Sequence, residues 1–340
     1  MPRKKASDAS VSQHLRHIRA FVFLLLLPAL VCAQVQVRTR VEQVLVPVSA
    51  KDKNGRLASG LTQTDFTITE AGKKQNITSF SIEPVPISAV ILIDTGISEN
   101  ALNRVKSSFP ALTGAFGDDD EISVFRFDKH VEKLMDFSSD RALIESTFEK
   151  LTSITATVSP LSSGPFSVPG PVINGVPVTP GVDSTGRTIA PPTKVLHDAI
   201  FQAAEDLGTR PVDRRKIVLL ASDGRNQNSL HSYNAALDRL LLREVHVFAF
   251  GVETSVFQRV RSDLLSYTKA TGGEAWFPES QGALESCYSL STEEARNQYV
   301  LGYLSTNKRP VGTPVFREIK VQVNRLGIEL RHKKGYYQAP

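Results

Sequence analysis

Three apolar runs, each followed by a stripe of apolar residues at helical spacing, constrain the fold of this chain more than any other feature. The runs are residues 87–93, 217–221 and 245–250. The stripe after the first run comprises Leu102, Val105, Phe109, Leu112 and Phe116. Strands buried on both faces and joined by helices form parallel sheets. The pattern therefore predicts an α/β fold with a doubly wound, mostly parallel sheet flanked by helices.

Segments rich in strand-like runs flank the predicted sheet. Residues 34–86 alternate in short extended runs broken by Asn54-Gly55 and Ala71-Gly72, which predicts a small antiparallel β unit. Residues 297–340 form a second β-rich extension, and the pairing of the two segments is left open by the sequence. The predicted α/β domain between them covers residues 87–296.

A biased segment interrupts the α/β domain. Residues 157–192 contain eight prolines and five glycines and show no hydrophobic periodicity. Such a composition cannot bury enough apolar surface to offset its ordering. We expect a disordered or loosely packed insertion.

Residues 1–33 have the order of an export signal. Five basic residues precede an apolar run of 14 residues, 20–33, which ends in Val31-Cys32-Ala33. A membrane-spanning helix needs roughly 20 apolar residues. We therefore expect cleavage near Ala33, no membrane span in the mature chain, and a secreted, periplasmic or cell-surface location.

The charge of the mature chain argues against nucleic acid as a partner. The formal net charge is +5, but residues 1–33 hold five basic residues and one acidic residue, which leaves +1. A nearly neutral chain has no general attraction for phosphate backbones. Cys287 is the one cysteine beyond residue 33, so we expect no internal disulfide and no zinc site built from cysteines.

Two acidic side chains follow predicted strands directly. Asp94 comes after residues 87–93, and Asp223 comes after residues 217–221 in Ser222-Asp223-Gly224. Parallel strands end at the same edge of a sheet, where ligands bind, so both carboxylates are expected to meet there. Ser98 lies near enough in sequence to add a hydroxyl. Oxygen-rich clusters suit Mg²⁺, Mn²⁺ or Ca²⁺ rather than zinc.

Three short motifs resemble the three loops of a von Willebrand factor A (VWA) domain. They are Asp94-Thr95-Gly96-Ile97-Ser98, Leu196-His197-Asp198-Ala199 and Ser222-Asp223-Gly224. The spacing of Val48, Leu61, Phe66 and Glu70, together with the closing residues 331–337, resembles exported VWA-related proteins described from acidobacteria. The resemblance spans about residues 35–337. It implies a VWA/Rossmann-like fold that binds a protein partner and is not an enzyme.

The resemblance also implies a metal-ion-dependent adhesion site, in which a D-x-S-x-S loop, a threonine and a second aspartate hold a divalent ion. Asp94, Ser98 and Asp223 match that ligand set. Gly96 stands where the first serine is expected. In the register set by residues 196–199, Lys194 takes the position of the threonine, and Thr193 falls one residue early. A lysine at that position is expected to repel a cation and to pair with Asp94 or Asp223.

Each candidate ligand has a simpler structural interpretation. Asp94 and Ser98 can cap the helix that follows, with Ser98 as its N-cap. Asp223-Gly224 can form an ordinary turn. Binding of Mg²⁺ or another divalent cation is therefore left open by the sequence.

Three functional hypotheses follow. The leading one is an exported protein that binds an unknown protein ligand, as in adhesion, through the loops at the carboxyl ends of the strands. The first alternative is a metal-free structural scaffold of an envelope assembly. The remote alternative is an envelope hydrolase that uses Asp94 and Asp223 as an acid/base pair. The sequence contains no G-x-S-x-G, phosphate-loop or H-E-x-x-H motif to support an enzyme.

Overall fold

The computed structural model describes residues 43–156, 194–252 and 258–340, and four two-residue strands between 172 and 189. The predicted leader, most of the predicted insertion and Thr193 lie outside the described residues. The strands are β1 Gln43–Asp52, β2 Phe66–Glu70, β3 Lys73–Gln75, β4 Ile77–Ser81, β5 Ile87–Asp94, β6 Glu121–Phe127, β7 Val131–Ser138, β8 Val172–Ile173, β9 Val176–Pro177, β10 Gly181–Val182, β11 Thr188–Ile189, β12 Arg215–Ser222, β13 His246–Gly251, β14 Ala275–Trp276, β15 Tyr299–Leu304, β16 Val315–Val323, β17 Ile328–His332 and β18 Gly335–Gln338. The helices are α1 Glu99–Ser107, α2 Phe109–Gly114, α3 Arg141–Thr152, α4 Leu196–Gly208, α5 Tyr233–Leu242, α6 Gln258–Thr271 and α7 Gln281–Arg296.

A six-stranded sheet forms the centre of the α/β part, in the order β14-β13-β12-β5-β6-β7. Its strands are parallel except for the edge strand β7, which runs antiparallel to β6. The predicted runs 87–93, 217–221 and 245–250 correspond to β5, β12 and β13. The predicted doubly wound, mostly parallel sheet is confirmed.

Helices cover both faces of this sheet because side chains alternate along each strand. Ile91 and Ile93 of β5 face a core shared with α1, α2, α3 and α7. Val90 and Leu92 face the opposite core, which α4, α5 and α6 close. All eight residues of β5 are buried. A strand buried on both faces reads as a continuous apolar run, and this is why the sequence signal was clear.

The first helical stripe is divided in the structure. Apolar residues repeat at one spacing from Leu102 to Phe116, but the chain forms α1 and then α2, with Ser108 between them. Pro110 lies in the first turn of α2. Proline has no backbone N–H and its ring crowds the preceding turn, so it suits a helix start and interrupts a continuing helix.

The two β-rich extensions form one β-sandwich. One sheet has the order β17-β1-β15-β4 and the other β18-β16-β2-β3. β1 pairs antiparallel with β15, about 250–260 residues later in the chain, and with β17, about 280 residues later. Their facing sides share a core that includes Val46, Ile68, Leu301 and Tyr303. The structure thereby answers the pairing question that the sequence left open.

Charged side chains join the sandwich to the α/β part. Lys51 of β1 forms ion pairs with Glu274 and, at 2.5 Å, with Glu294. Arg331 of β17 contacts Glu274 at 2.7 Å. Glu294 is almost completely buried. Burial raises the pKa of Glu294, and the neighbouring Glu274 adds to that rise while Lys51 opposes it. The junction is therefore a largely buried cluster of two acids and two bases.

Candidate functional site

Asp94 and Asp223 lie at the same edge of the sheet, as predicted. Asp94 is the last residue of β5, and Asp223 directly follows β12, its parallel neighbour. Both side chains are buried. The loops that follow these two strands, residues 94–98 and 223–231, together with residues 194–198, are called the loop face below.

The ammonium of Lys194 lies between the two carboxylates. Lys194 Nζ donates to Asp223 Oδ2 at 2.7 Å and to Asp94 Oδ2 at 3.2 Å. Its side chain is only 3 % exposed. The expectation that a lysine here pairs with the acidic side chains is met, and it pairs with both.

Further hydrogen bonds from the protein reach both carboxylates. Ser222 Oγ donates to Asp94 Oδ2 at 2.7 Å, and the backbone N–H of Gly96 donates to Asp94 Oδ1 at 2.9 Å. The backbone N–H of Arg225 donates to Asp223 Oδ1 at 2.9 Å, which is the turn geometry expected of Asp-Gly. The carboxylates are thus satisfied by the protein itself.

Burial is the largest influence on Asp94 and raises its pKa to about 6. Lys194 opposes the rise and Asp223 adds to it. An unfolded aspartate has a pKa near 3.8. The folded state therefore holds this proton more tightly than the unfolded chain. The stability that this difference contributes is fully present below the unfolded pKa and is lost as the pH rises through about 6.

Ser98 is the N-cap of α1. Its Oγ accepts a hydrogen bond from the backbone N–H of Ala101 at 3.4 Å. Ser98 is exposed, whereas Asp94 and Asp223 are buried. The helix-cap interpretation of Ser98 is confirmed.

The described residues do not fit a divalent ion at this position. An ammonium already occupies the space between the carboxylates, Gly96 supplies no hydroxyl, and Ser98 caps a helix. In the described part of the chain, no group of three or more His, Cys, Asp or Glu side chains is arranged to hold a metal ion. Thr193, the doubtful ligand, lies outside the described residues.

Several hydrogen bonds fix the loop 223–231 to residues 194–198 at the start of α4. The backbones of Lys194 and Gln227 exchange hydrogen bonds of 3.1 and 2.7 Å. The carboxylate of Asp198 accepts from the backbone N–H groups of Leu230 and His231, each at 2.8 Å. These bonds outweigh the effect of burial and lower the pKa of Asp198, so its carboxylate stays ionised.

Arg225 and Leu230 are two of the three exposed residues of this loop, with Asn228. Leu230 is 93 % exposed. The side chain of Arg225 is 44 % exposed, and its Nε lies 3.5 Å from Asp223 Oδ2. Sequence reasoning did not select Arg225, Leu230 or the hydroxyl of Ser222. The one feature of the sequence that could have indicated these contacts was a leucine within a polar turn.

The sheet order, its antiparallel edge strand and the three loops at one edge describe a doubly wound α/β domain joined to a β-sandwich, which is the fold that the VWA resemblance of the sequence implies. No protein-family model matches the sequence, and no curated protein matches it.

The chain is similar to several solved structures. A von Willebrand factor type A protein from Catenulispora acidiphila has 10 % identity and a TM-score of 0.45, over 88 % of this chain and 75 % of that chain. Manganese-loaded TRAP from Plasmodium vivax has 10 % identity and a TM-score of 0.41, over 80 % and 99 %. BatB from Bacteroides thetaiotaomicron has 12 % identity and a TM-score of 0.41, over 62 % and 98 %. The chain is similar to these proteins in fold alone.

Proposed function

We propose that this chain is an exported protein-binding module that contacts its partner through the loop face. The carrying observation is the fixed loop 223–231, which holds an apolar and a cationic side chain in solvent. A nearly fully exposed leucine buries nothing within the chain, and a rigid loop loses little entropy on binding. Arg225 is of a residue type that is enriched at interface hot spots, and Leu230 adds exposed apolar surface in the same loop.

Export is supported by the basic and then apolar order of residues 1–33. The export signal remains a prediction, because these residues lie outside the described part of the chain. No helix in the described ranges is long and apolar enough to cross a membrane. The acidobacterial subgroup resemblance likewise remains a proposal about origin.

The hydrolase hypothesis is less well supported by the site. An acid/base pair needs two carboxylates that reach a substrate, with pKa values held apart. Asp94 and Asp223 are buried, and both pair with Lys194. The site is better suited to holding the loop face in place than to proton transfer.

Site-specific photocrosslinking in the producing cells tests the proposed binding face. A photoreactive amino acid replaces Leu230 in one variant and Val212 in the other, since Val212 is 91 % exposed at the opposite end of β12. We expect a discrete protein adduct from position 230 alone. The adduct should persist in chelator and disappear when Arg225→Glu is added, because that change reverses the surface charge.

Equal labelling from positions 230 and 212, or no adduct from position 230, would contradict the proposal. Adducts obtained only from probes in the sandwich or in residues 157–192 would instead favour the scaffold hypothesis. The binding and scaffold hypotheses place the partner on different surfaces, so the position that crosslinks distinguishes them.

A further inference from the structure

We propose that the ammonium of Lys194 performs the structural role of a bound divalent cation, and that Gly96 and Lys194 are a matched pair that makes this site reject such an ion. The proposal rests on the proposed function for the role of the loop face. Its chemistry is carried by the contacts of Lys194 and by the space at Gly96.

The first step concerns charge. Two buried carboxylates, Asp94 and Asp223, need a counter-charge, and Lys194 Nζ lies within hydrogen-bond distance of both. Charges removed from water are stable in proteins only when they are paired and hydrogen-bonded. A divalent ion bound to the same oxygens would lie beside the ammonium, and the repulsion between like charges is large in a buried site.

The second step concerns the backbone of Lys194. Its N–H and C=O are both paired with Gln227, and the next residue, Val195, donates to the carbonyl of Asp128 at 3.0 Å. The segment is therefore anchored on two sides, while the side chain links the ends of β5 and β12. One lysine thus joins the elements of the loop face that a shared ion would otherwise bridge.

The third step concerns space. A Cβ at Gly96 would lie 3.0 Å from Lys194 Cε, 3.5 Å from Lys194 Cγ and 3.3 Å from Asp94 Oδ1. Any side chain at position 96 would therefore crowd the stem of Lys194. Glycine at position 96 removes a hydroxyl ligand and makes room for the lysine at the same time. The two departures from the metal-binding motif act as one change.

The test reverses the pair. We compare the full mature chain, Lys194→Thr, and the double variant Gly96→Ser/Lys194→Thr, each melted in chelator and in Mn²⁺, Mg²⁺ or Ca²⁺ alone. We expect the Tm of the unmodified chain to be independent of these ions. The double variant should melt lower in chelator, and saturating Mn²⁺ should raise its Tm by about 5 °C. Adding Asp223→Asn to the double variant should abolish that rise.

Calorimetric titration of Mn²⁺ into the unmodified chain gives a second measurement that needs no variant to fold. Absence of saturable heat supports the proposal, and binding that is lost in Asp94→Ala overturns it. A double variant that gains no manganese-dependent stability, or that stays unfolded with and without manganese, also overturns it. Neither result affects the crosslinking outcome at Leu230, so failure here is distinguishable from failure of the proposed function.

Discussion

Replacing Lys194 by methionine lowers the free energy of unfolding by about 3–5 kcal/mol at neutral pH, because it leaves two buried carboxylates without their counter-charge. Asp94 and Asp223 are 0 % and 4 % exposed, so water cannot replace the ammonium without opening the site. Urea denaturation followed by circular dichroism measures the change. Lys320→Met is the matched control, because Lys320 pairs with Glu318 on the surface and is 70 % exposed. The control should change stability by less than about 1 kcal/mol.

The loss in Lys194→Met should shrink as the pH falls from 7 towards 5. The raised pKa of Asp94 means that this carboxyl takes up a proton in the folded state within that range, and its repulsion of Asp223 then disappears. For the same reason, adding Asp94→Asn should restore much of the stability at neutral pH. A Lys194→Met variant as stable as the unmodified chain, or a loss that grows on acidification, would contradict this account.

Replacing Lys51 by methionine lowers the free energy of unfolding by about 3 kcal/mol, the second large effect. Lys51 lies between Glu274 and Glu294 at the junction of the sandwich and the α/β part. Burial acts to raise the pKa of Glu274, but the hydrogen bond from Lys51 and the charge of Arg331 outweigh it and hold that pKa low. Without Lys51, Glu294 would lose its paired base and would lie buried beside the negative charge of Glu274.

Arg56→Met is the control for Lys51→Met. Arg56 lies just beyond β1 and pairs with Asp52, the last residue of that strand, and the Arg56 side chain is 76 % exposed. That change should alter stability by less than about 1 kcal/mol. Thermal melts monitored by the near-ultraviolet circular dichroism of Trp276 report on the junction, because the centre of its ring lies 5.7 Å from Lys51 Nζ. Equal effects of Lys51→Met and Arg56→Met would show that the junction does not depend on its buried charges.

The centre of the α/β sheet was predictable because β5, β12 and β13 are buried on both faces and contain continuous apolar runs. An acid comes directly after the run in β5 and directly after β12, and parallel strands carry both acids to the same edge of the sheet. The meeting of Asp94 and Asp223 could therefore be predicted without knowledge of any contact. Pro110 shows the limit of periodicity, since the apolar spacing continues through a helix break.

The strand pairing of the sandwich and the surroundings of Ser222 and Leu230 could not be predicted from the sequence. β1 pairs with β15 and β17 across more than 250 residues, and such pairing is set by the burial of whole faces rather than by local pattern. The side-chain hydrogen bond from Ser222 to Asp94 depends on the register between β5 and β12. The exposure of Leu230 depends on the hydrogen bonds that fix its loop, and a single leucine in the sequence does not predict it.

The VWA resemblance predicted that Lys194 would pair with Asp94 or Asp223, and in the structure it pairs with both. A lysine supplies one positive charge and needs no ion from outside. We infer that partner binding at this face is independent of the divalent ions in the surroundings.

A crystal structure of the mature chain grown in Mn²⁺, with an anomalous difference map at the manganese edge, tests the central claim most directly. The account predicts Lys194 Nζ between Asp94 and Asp223, and no anomalous peak within about 3 Å of either carboxylate, the reach of a coordination shell. A manganese peak between the carboxylates, with the lysine side chain displaced, would contradict it.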